Sequence, residues 1–191
     1  MARPMATDDL EGAFRSKRLW YKRVNKGDDK IRVHIISHLN DPINRRLSGP
    51  SLLRPQGDDE LEWGMDMTSK SLLGEPVVFG CMELGPGGIN PAQAHNRSAE
   101  IGISIGRDYQ DKGYGAEALN WLLDWAFQHA GLHTVQLSTS SCNERAVHLD
   151  QKLGFVLEGR RRECFYFRRQ WYDDVEFGMT EGDWARIRGL S

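Results

Sequence analysis

The chain has 191 residues, a formal net charge of −2 and 27% charged residues. This composition is typical of a soluble globular protein, and the near-neutral charge gives no general case for nucleic-acid binding. No apolar run reaches membrane-spanning length and the first residues lack the apolar core of a signal peptide, so we expect a cytoplasmic protein without a membrane partner. The length fits a single domain over residues 1–191, with residues 1–16 flexible.

The three cysteines are too far apart to indicate a metal site. Cys81, Cys142 and Cys164 form no CxxC pair and no zinc-binding spacing. We therefore expect reduced thiols and no bound metal.

The first third of the chain predicts a strand, a helix and a long loop. Residues 18–24 interleave apolar and basic side chains, which is typical of an edge strand. Asp28 and Asp29 suit the N-terminus of a helix that ends before Pro42. The apolar positions of that helix are Ile31, Ile35, Ile36 and Leu39. Gly, Pro and acidic residues then predict a variable loop over residues 45–62.

Two more strands are indicated before the glycine-rich region of the chain. In residues 60–72 the alternation of Trp63, Met65 and Met67 favours a strand, and a short helix is the alternative. Residues 76–84 are apolar on both sides, which predicts a central strand. A linker rich in Gly, Pro and Asn follows over residues 85–98.

Residues 99–115 join a predicted strand to a predicted helix through a short loop. In the strand, Ile101, Ile103 and Ile105 point to one side, and Glu100, Gly102 and Ser104 point to the other. Gly113 and Gly115 let backbone N–H groups stand open at the positive end of the helix, a geometry that binds phosphate oxygens. We predict a strand that presents chemistry, followed by a loop that holds a pyrophosphate.

The remaining chain alternates helices and strands. A helix over residues 115–129 has the core-facing stripe Leu119, Leu122, Leu123, Ala126 and Phe127. A strand over residues 132–140 leads to a second helix, with Ser141 as N-cap, Glu144 completing a capping box and Gly154 at the C-terminus.

The chain ends in a predicted hairpin and a short helix. The hairpin strands are residues 155–167 and 171–179, and Thr180 caps a final helical turn that holds Trp184. The order of elements implies an α/β domain with a mixed sheet.

Two motifs together resemble those of GNAT-superfamily N-acetyltransferases. Residues 110–115 have the form Q/R-x-x-G-x-G/A, and residues 143–155 have the form N-x-x-A…K-x-G-F. The first strand and the tail from Glu158 to Trp184 are similar to the RimJ/RimL branch, which acetylates N-terminal amines of proteins. The resemblance implies a GNAT fold, α/β (α+β) in class. Its mixed sheet of about six or seven strands is flanked by helices and splayed at an acetyl-CoA cleft.

The resemblance also implies how acetyl-CoA is bound. The loop would cradle the pyrophosphate through Gln110, Asp111, Lys112, Gly113, Tyr114, Gly115 and Ala116. The strand ending in Ile103, Ser104 and Ile105 would pair with the pantetheine arm, and Asn143 matches a position that hydrogen-bonds to that arm. A backbone N–H at Ile103 or Ser104 would polarise the thioester carbonyl.

Two carboxylates are candidates for proton transfer. Glu100 matches a glutamate of the RimJ/RimL pattern and would act as the base, directly or through a water; a purely structural role is the alternative. Asp150 stands where many relatives have the tyrosine that protonates the leaving thiolate. A solvated carboxylate is a poor acid at neutral pH, so Ser140, Ser141, water or unassisted departure of the thiolate are alternatives.

The resemblance predicts an acyltransferase that moves an acetyl group to a primary amine by direct attack in a ternary complex. The acceptor would be a protein N-terminus or, alternatively, a small amine such as a polyamine, an amino acid or a xenobiotic. A CoA-binding sensor with little catalysis is a further alternative. We expect a monomer or homodimer. Because Ser141 is predicted to cap its helix, Asn143 is expected to be available for the donor, and Asp150 is expected to be solvated.

Overall fold

The computed structural model describes residues 13–23, 33, 37, 40–43, 65–69, 77–84 and 91–190. Its strands are β1 (Leu19–Arg23), β2 (Met65–Ser69), β3 (Val78–Leu84), β4 (Ser98–Ile105), β5 (Thr134–Ser140), β6 (Val156–Phe167) and β7 (Gln170–Thr180). Its helices are α1 (Tyr114–Gln128), α2 (Glu144–Leu153) and α3 (Glu181–Arg188), with short 3-10 turns at Pro91–Asn96 and Arg107–Tyr109. No helix within these ranges is long and apolar enough to span a membrane.

The strands form one seven-stranded sheet in the order β1-β2-β3-β4-β5-β7-β6. β4 and β5 run parallel, and the other neighbouring strands are antiparallel. β4 and β5 pair only from Ser98 opposite Thr134 to Glu100 opposite Gln136. Beyond Glu100 the two strands separate, so the sheet is splayed at its centre, as predicted.

The core lies between α1 and the centre of the sheet. The five residues of the predicted stripe on α1 are all buried. They belong to the same buried cluster as alternate residues of β4, β5 and β7, including Ile101, Val135 and Phe177. Burying a large aliphatic or aromatic side chain of this kind contributes about 1.5–3 kcal/mol, so α1 is firmly fixed under β4. This packing determines where the loop before α1 lies.

The end of the chain follows the predicted hairpin and helix. Arg168 and Arg169 occupy the left-handed region, with φ of 48° and 64°, as a two-residue hairpin turn requires. Thr180 and Asp183 form the capping box of α3. Trp184 Nε1 donates to Asp124 Oδ1 at 2.8 Å, which ties α3 to α1.

The predicted N-cap of α2 is wrong. The cap is Asn143, whose side chain accepts from the Ala146 N–H, and the helix begins at Glu144. Ser141 instead continues the pairing of β5 with β7: its N–H donates to Asp173 O, and its Oγ accepts from Asp173 N. The Ser141 hydroxyl, which the predicted capping box requires, is therefore used in a hydrogen bond to β7. Asn143 must combine capping with any role towards a donor.

Several predictions concern the first 90 residues. The ambiguous segment 60–72 contains a strand, β2. Most of the predicted helix after Asp28 and the variable loop 45–62 lie outside the described residues, as does most of the segment 1–16. Within that predicted helix, the described residues Val33 and Ser37 are helical. Residues 13–16 are held against α1, since Trp121 Nε1 donates to Ala13 O at 2.8 Å.

Candidate active site

A cleft of about 450 Å³ opens where the loop before α1, the end of β4 and one face of α2 meet. Its lining contains ten residues that the sequence predicts as donor-binding: Ile103, Ser104, Ile105, Gln110, Asp111, Gly113, Tyr114, Gly115, Ala116 and Asn143. Tyr109, Arg145, Ala146, His148, Leu149 and Lys152 complete it. The eleventh predicted residue, Lys112, lies outside the lining, and its Nζ donates to Asp108 O at 2.7 Å.

Backbone geometry gives the loop the features that suit anion binding. Gly113 is the N-cap of α1 at φ 79°, and no side chain caps the helix. The first helical bond runs from the Glu117 N–H to Gly113 O, so the N–H groups of the preceding helical residues have no acceptor within the helix. These donors and the positive end of the helix dipole lie at one end of the cleft.

Gly115 lets three elements approach closely at the same place. A Cβ at this position would lie 3.4 Å from Leu149 Cδ2 of α2 and 3.5 Å from Ile105 Cδ1 of β4. A larger side chain would fill the junction that links the loop to the rest of the cleft.

Aromatic packing supports the loop from the β3 side. The Phe79 ring lies 4.7 Å from the Tyr109 ring and 4.9 Å from the Tyr114 ring, measured between centroids. Gln110 Nε2 donates to Ile105 O at 2.9 Å, which fixes the loop to the end of β4. The backbone that carries the anion-binding groups is therefore anchored on two strands.

Arg145 joins the two sides of the cleft. Its Nη2 lies 3.1 Å from Asp111 Oδ1 and 3.2 Å from Gln110 Oε1, so α2 contacts the loop through this side chain. The motif did not predict Arg145, which occupies one of its variable positions. Helical periodicity could have found it, because Arg145, Leu149 and Lys152 are spaced to lie on one helix face.

The splay exposes an edge of β4 to the cleft. Residues 101–105 pair with β3 on one side, and β5 does not pair with them on the other. In an antiparallel pair, alternate backbone amides point away from the partner strand. This edge therefore presents N–H and C=O groups to an extended, amide-containing ligand.

Two glutamates lie on the face of the sheet opposite α1. Glu100 is exposed on β4 at the point where the splay begins. Glu83 Oε1 would lie only 2.7 Å from a Cβ at Gly102, so its carboxylate extends over β4 at a position two residues along the strand from Glu100. Neither residue is in the cleft lining. Glu83 was not predicted from the sequence, because its proximity to β4 depends on the register that places it opposite Gly102.

The expectation that Asp150 is solvated is wrong. The residue is only 4% exposed, because it faces the interior from α2. Burial raises the pKa of its carboxyl to about 7, since desolvation disfavours the charged form. Among the described residues no group hydrogen-bonds to this carboxyl. Its helix neighbours Ala146 and Leu149 line the cleft, and Asp150 itself does not.

The described residues contain no cluster of three or more His, Cys, Asp or Glu side chains that could hold a metal ion.

A family model decides the classification. Residues 3–156 match the model of the acetyltransferase (GNAT) domain. The chain belongs to this GNAT family. The prediction of a GNAT acetyltransferase domain is therefore confirmed.

Curated relatives of this GNAT domain differ in substrate. Over 81 residues the chain is 38% identical to the spermidine N(1)-acetyltransferase of Vibrio cholerae, covering 42% of this chain and 46% of that protein. Over 85 residues it is 31% identical to the ribosomal protein uS5 alanine N-acetyltransferase of Escherichia coli, covering 44% of each. The matches thus span less than half the length of these relatives.

The fold is shared more completely. The spermidine N-acetyltransferase from Vibrio cholerae, solved in complex with CoA and spermine, superposes with a TM-score of 0.70 at 24% identity. The superposition covers 87% of this chain and 97% of that one. At this identity the likeness is one of fold, and it confirms the predicted GNAT fold.

Proposed function

We propose that the protein transfers the acetyl group of acetyl-CoA to a primary amine of a small, polyamine-like molecule. The observation that carries this proposal is the continuity of one cleft. The cleft joins an uncapped helix N-terminus to the splayed edge of β4, so it offers an anion site and an amide-pairing edge in line. The pyrophosphate and the pantetheine arm of acetyl-CoA have these two chemistries in the same order.

The chain's own groups fit the pyrophosphate, the pantetheine arm and the thioester of the donor. The N–H groups of Gly113, Tyr114, Gly115 and Ala116 bind the pyrophosphate oxygens, and the edge of β4 pairs with the amides of the pantetheine arm. The N–H of Ile103 or Ser104 donates to the thioester carbonyl and stabilises the negative charge that develops there. Acetyl-CoA itself supplies the activated acyl group.

Glu100 and Glu83 support an acceptor that carries positive charge. Both carboxylates lie at the start of the splay, where they attract a cationic amine. Glu100 takes a proton from the ammonium group, directly or through a water, which frees the nitrogen lone pair. The nitrogen then forms a bond to the thioester carbon and loses its second proton to water, the carbon–sulfur bond breaks, and the sulfur leaves with the electron pair.

Asp150 is the proposed proton donor to the leaving thiolate. A pKa of about 7 means that about half of these carboxyls carry a proton at neutral pH, unlike a solvated aspartate. A carboxylic acid kept neutral by burial can replace the tyrosine found at this position in many relatives.

Matches to two kinds of relative motivate the choice of acceptor. Of the two relatives, the spermidine acetyltransferase has the higher sequence identity to this chain. This favours a small polyamine over the protein N-terminus that the RimJ/RimL resemblance implied. The second candidate acceptor is a protein α-amine, which the match to the ribosomal-protein enzyme favours. An α-amine also needs less help from a base, since its pKa is about 7.7–8.0.

A panel of amines tests the proposal. Purified protein is given acetyl-CoA with spermidine, spermine, single amino acids or a peptide with a free N-terminal alanine, and thiol release is followed. We expect saturable release with the polyamines, and the Glu100→Gln variant provides a control for the acceptor side. If the protein binds CoA but none of the tested amines gives thiol release, the protein is a sensor and the proposal is contradicted.

A further inference from the structure

The segment before β1 makes three hydrogen bonds to Glu117 of α1 and one to the loop, and neither the motif nor the proposed mechanism uses it. We propose that Arg18 is a positioning residue for the donor site, because it fixes the backbone of the loop whose N–H groups bind the pyrophosphate. This inference rests on the proposed binding of acetyl-CoA. It extends that proposal to a residue outside the cleft lining.

One end of the contact is the Glu117 carboxylate, in the first turn of α1. Glu117 Oε1 accepts from Ser16 Oγ at 2.6 Å and from the Arg18 N–H at 2.5 Å. Glu117 Oε2 accepts from Arg18 Nε at 2.6 Å. Both carboxylate oxygens are thus occupied by donors from the segment before β1. The first turn of α1 is held at a fixed distance from the sheet.

The other end of the contact is the loop itself. Arg18 Nη1 donates to Lys112 O at 2.9 Å. Its guanidinium lies 4.5 Å from the centre of the Tyr114 ring, and its Nη2 would lie 3.4 Å from a Cβ at Gly113. One planar side chain therefore contacts Lys112 and Tyr114 and passes close to Gly113 between them, which a lysine with its single ammonium group cannot reproduce.

The loop needs such support because its conformation is unusual. Gly113 has φ 79° and Asp111 has φ 59°, so two left-handed residues lie within three positions. Such backbone conformations persist only where surrounding contacts hold them. The bond to Lys112 O lies between these two residues.

Charge is the second reason. Glu117 brings a carboxylate within one turn of the N–H groups that would bind a pyrophosphate. Partial burial would raise the pKa of Glu117, but the hydrogen bonds from Ser16 and Arg18 and the Arg18 charge outweigh it and hold the pKa below its usual value. Glu117 is therefore ionised, and Arg18 compensates its negative charge next to the phosphate site.

The base of this contact is rigid. Tyr21 OH donates to Ser16 Oγ at 2.8 Å, and the Tyr21 ring stacks on the Trp121 ring at 3.8 Å between centroids. Tyr21 is 4% exposed on β1. Ser16 and Arg18 are thus tied to the core, and the loop takes its position from the core through them.

The test compares two thioester donors that share a reacting end. Acetyl-CoA carries the pyrophosphate, and S-acetyl-pantetheine lacks it. For Arg18→Met we expect the KM for acetyl-CoA to rise about tenfold or more, as loss of charged hydrogen bonds implies, with kcat at saturation almost unchanged. The kcat/KM for S-acetyl-pantetheine should stay within about twofold, because that donor does not use the loop.

Two further variants complete the test. Arg18→Lys keeps the charge and loses the planar set of donors, so its dissociation constant for CoA should lie between those of wild type and Arg18→Met. Lys17→Met is the matched control on the exposed neighbouring position, and its constants should equal those of wild type. If Arg18→Met does not fold, the CoA affinity of Arg18→Lys decides alone.

The outcomes are distinguishable. Equal losses with both donors, or CoA binding unchanged in both Arg18 variants, would overturn the positioning role and leave the proposed function intact. Absence of CoA binding by wild-type protein would overturn the proposed function, and this inference with it.

Discussion

The two ends of the cleft are built in different ways. At the loop end, the groups proposed to bind the anion are backbone N–H groups of a loop that Arg18, Phe79 and Gln110 hold through short contacts. Near the splay end, the proposed chemistry depends on two carboxylates outside the cleft lining, the exposed Glu100 and the buried Asp150. In the proposed mechanism, donor binding is therefore a property of a fixed backbone, whereas turnover depends on the surroundings of single side chains.

The two carboxylates themselves are opposites. Glu100 is exposed on a strand, and Asp150 is 4% exposed on a helix with its pKa raised to about 7. Environment can assign base and acid roles to two otherwise similar groups. Substitutions in the backbone of the loop should therefore have the largest effects, those of the carboxylates smaller effects, and that of Arg145 on α2 the smallest.

Substituting Gly113 should have the largest effect. Gly113→Val places a β-branched residue at φ 79° and moves its Cβ towards Arg18, so the loop must change conformation. Displacing several N–H donors should weaken CoA binding by about a hundredfold or more. Isothermal titration with CoA measures this.

Gly131 provides a matched control. It also has a left-handed φ, of 64°, and a Cβ there would meet nothing within 4 Å. Gly131→Val should therefore lose similar stability and keep wild-type affinity for CoA. Equal affinity losses in both variants would show that backbone strain alone, rather than the loop, reduces binding.

Asp150→Asn should lower turnover by about tenfold or more, since a positioned acid is removed. The affinity for CoA should stay within about threefold, because the loop end is unchanged. Thiol-release kinetics and titration measure the two effects separately. Turnover equal to that of wild type would exclude Asp150 as the proton donor and favour unassisted departure of the thiolate.

The same variant should change how stability depends on pH. The folded-state pKa of Asp150 is raised from 3.8 to about 7, so between these values the folded protein binds more protons than the unfolded chain. Stability from this group is complete below about pH 4 and is lost as the pH rises through about 7. Asp150→Asn removes that loss, at most about 4 kcal/mol. The free energy of unfolding of the variant should therefore rise relative to that of wild type between pH 5 and pH 8. The free energy of unfolding is measured by urea denaturation at each pH. A difference between wild type and Asp150→Asn that stays constant across this range would contradict the raised pKa of Asp150.

Glu100→Gln should have a pH-dependent effect on the acceptor side. Below the pKa of the amine, kcat/KM should fall about tenfold, and the loss should disappear at higher pH where the amine is already neutral. Glu158→Gln, an exposed carboxylate on β6, serves as the control. A loss that is independent of pH would assign Glu100 a structural role.

Arg145→Ala should have the smallest effect. Its ion pair with Asp111 joins side chains that are 61% and 74% exposed, and such pairs contribute less than about 1 kcal/mol. The dissociation constant for CoA should change by less than about fivefold, and the change should shrink in high salt. A loss of CoA affinity comparable to that of Gly113→Val would show that the main contact with the anion comes from α2 rather than from the loop.

Local patterns predicted the parts of the structure that depend on local physics. The helical stripe on α1, the left-handed Gly154 and the capping box at Thr180 follow from residue spacing and turn chemistry, and the structure confirms them. Gly113 was recognised because a loop that presents N–H groups needs a residue tolerant of positive φ. Ten of the predicted donor-binding residues line one cleft, and their roles stay predictions.

Features that depend on contacts between distant segments were not predictable. Ser141 lost its capping role because β7 takes its hydroxyl. Asp150 is buried because of how α2 packs, which spacing along the helix does not reveal. The contact of Arg18 with Glu117 spans 99 residues, and Glu83 reaches Gly102 only through strand register.

Competition between two acceptors tests whether the protein acetylates a small polyamine rather than a protein N-terminus. Wild-type protein is given acetyl-CoA with equal concentrations of spermidine and a peptide that has a free N-terminal alanine, and the acetylated products are counted by mass spectrometry. We expect acetylated spermidine in at least about tenfold excess over acetylated peptide. Predominant acetylation of the peptide, or no acetylated product from a protein that binds CoA, would contradict it.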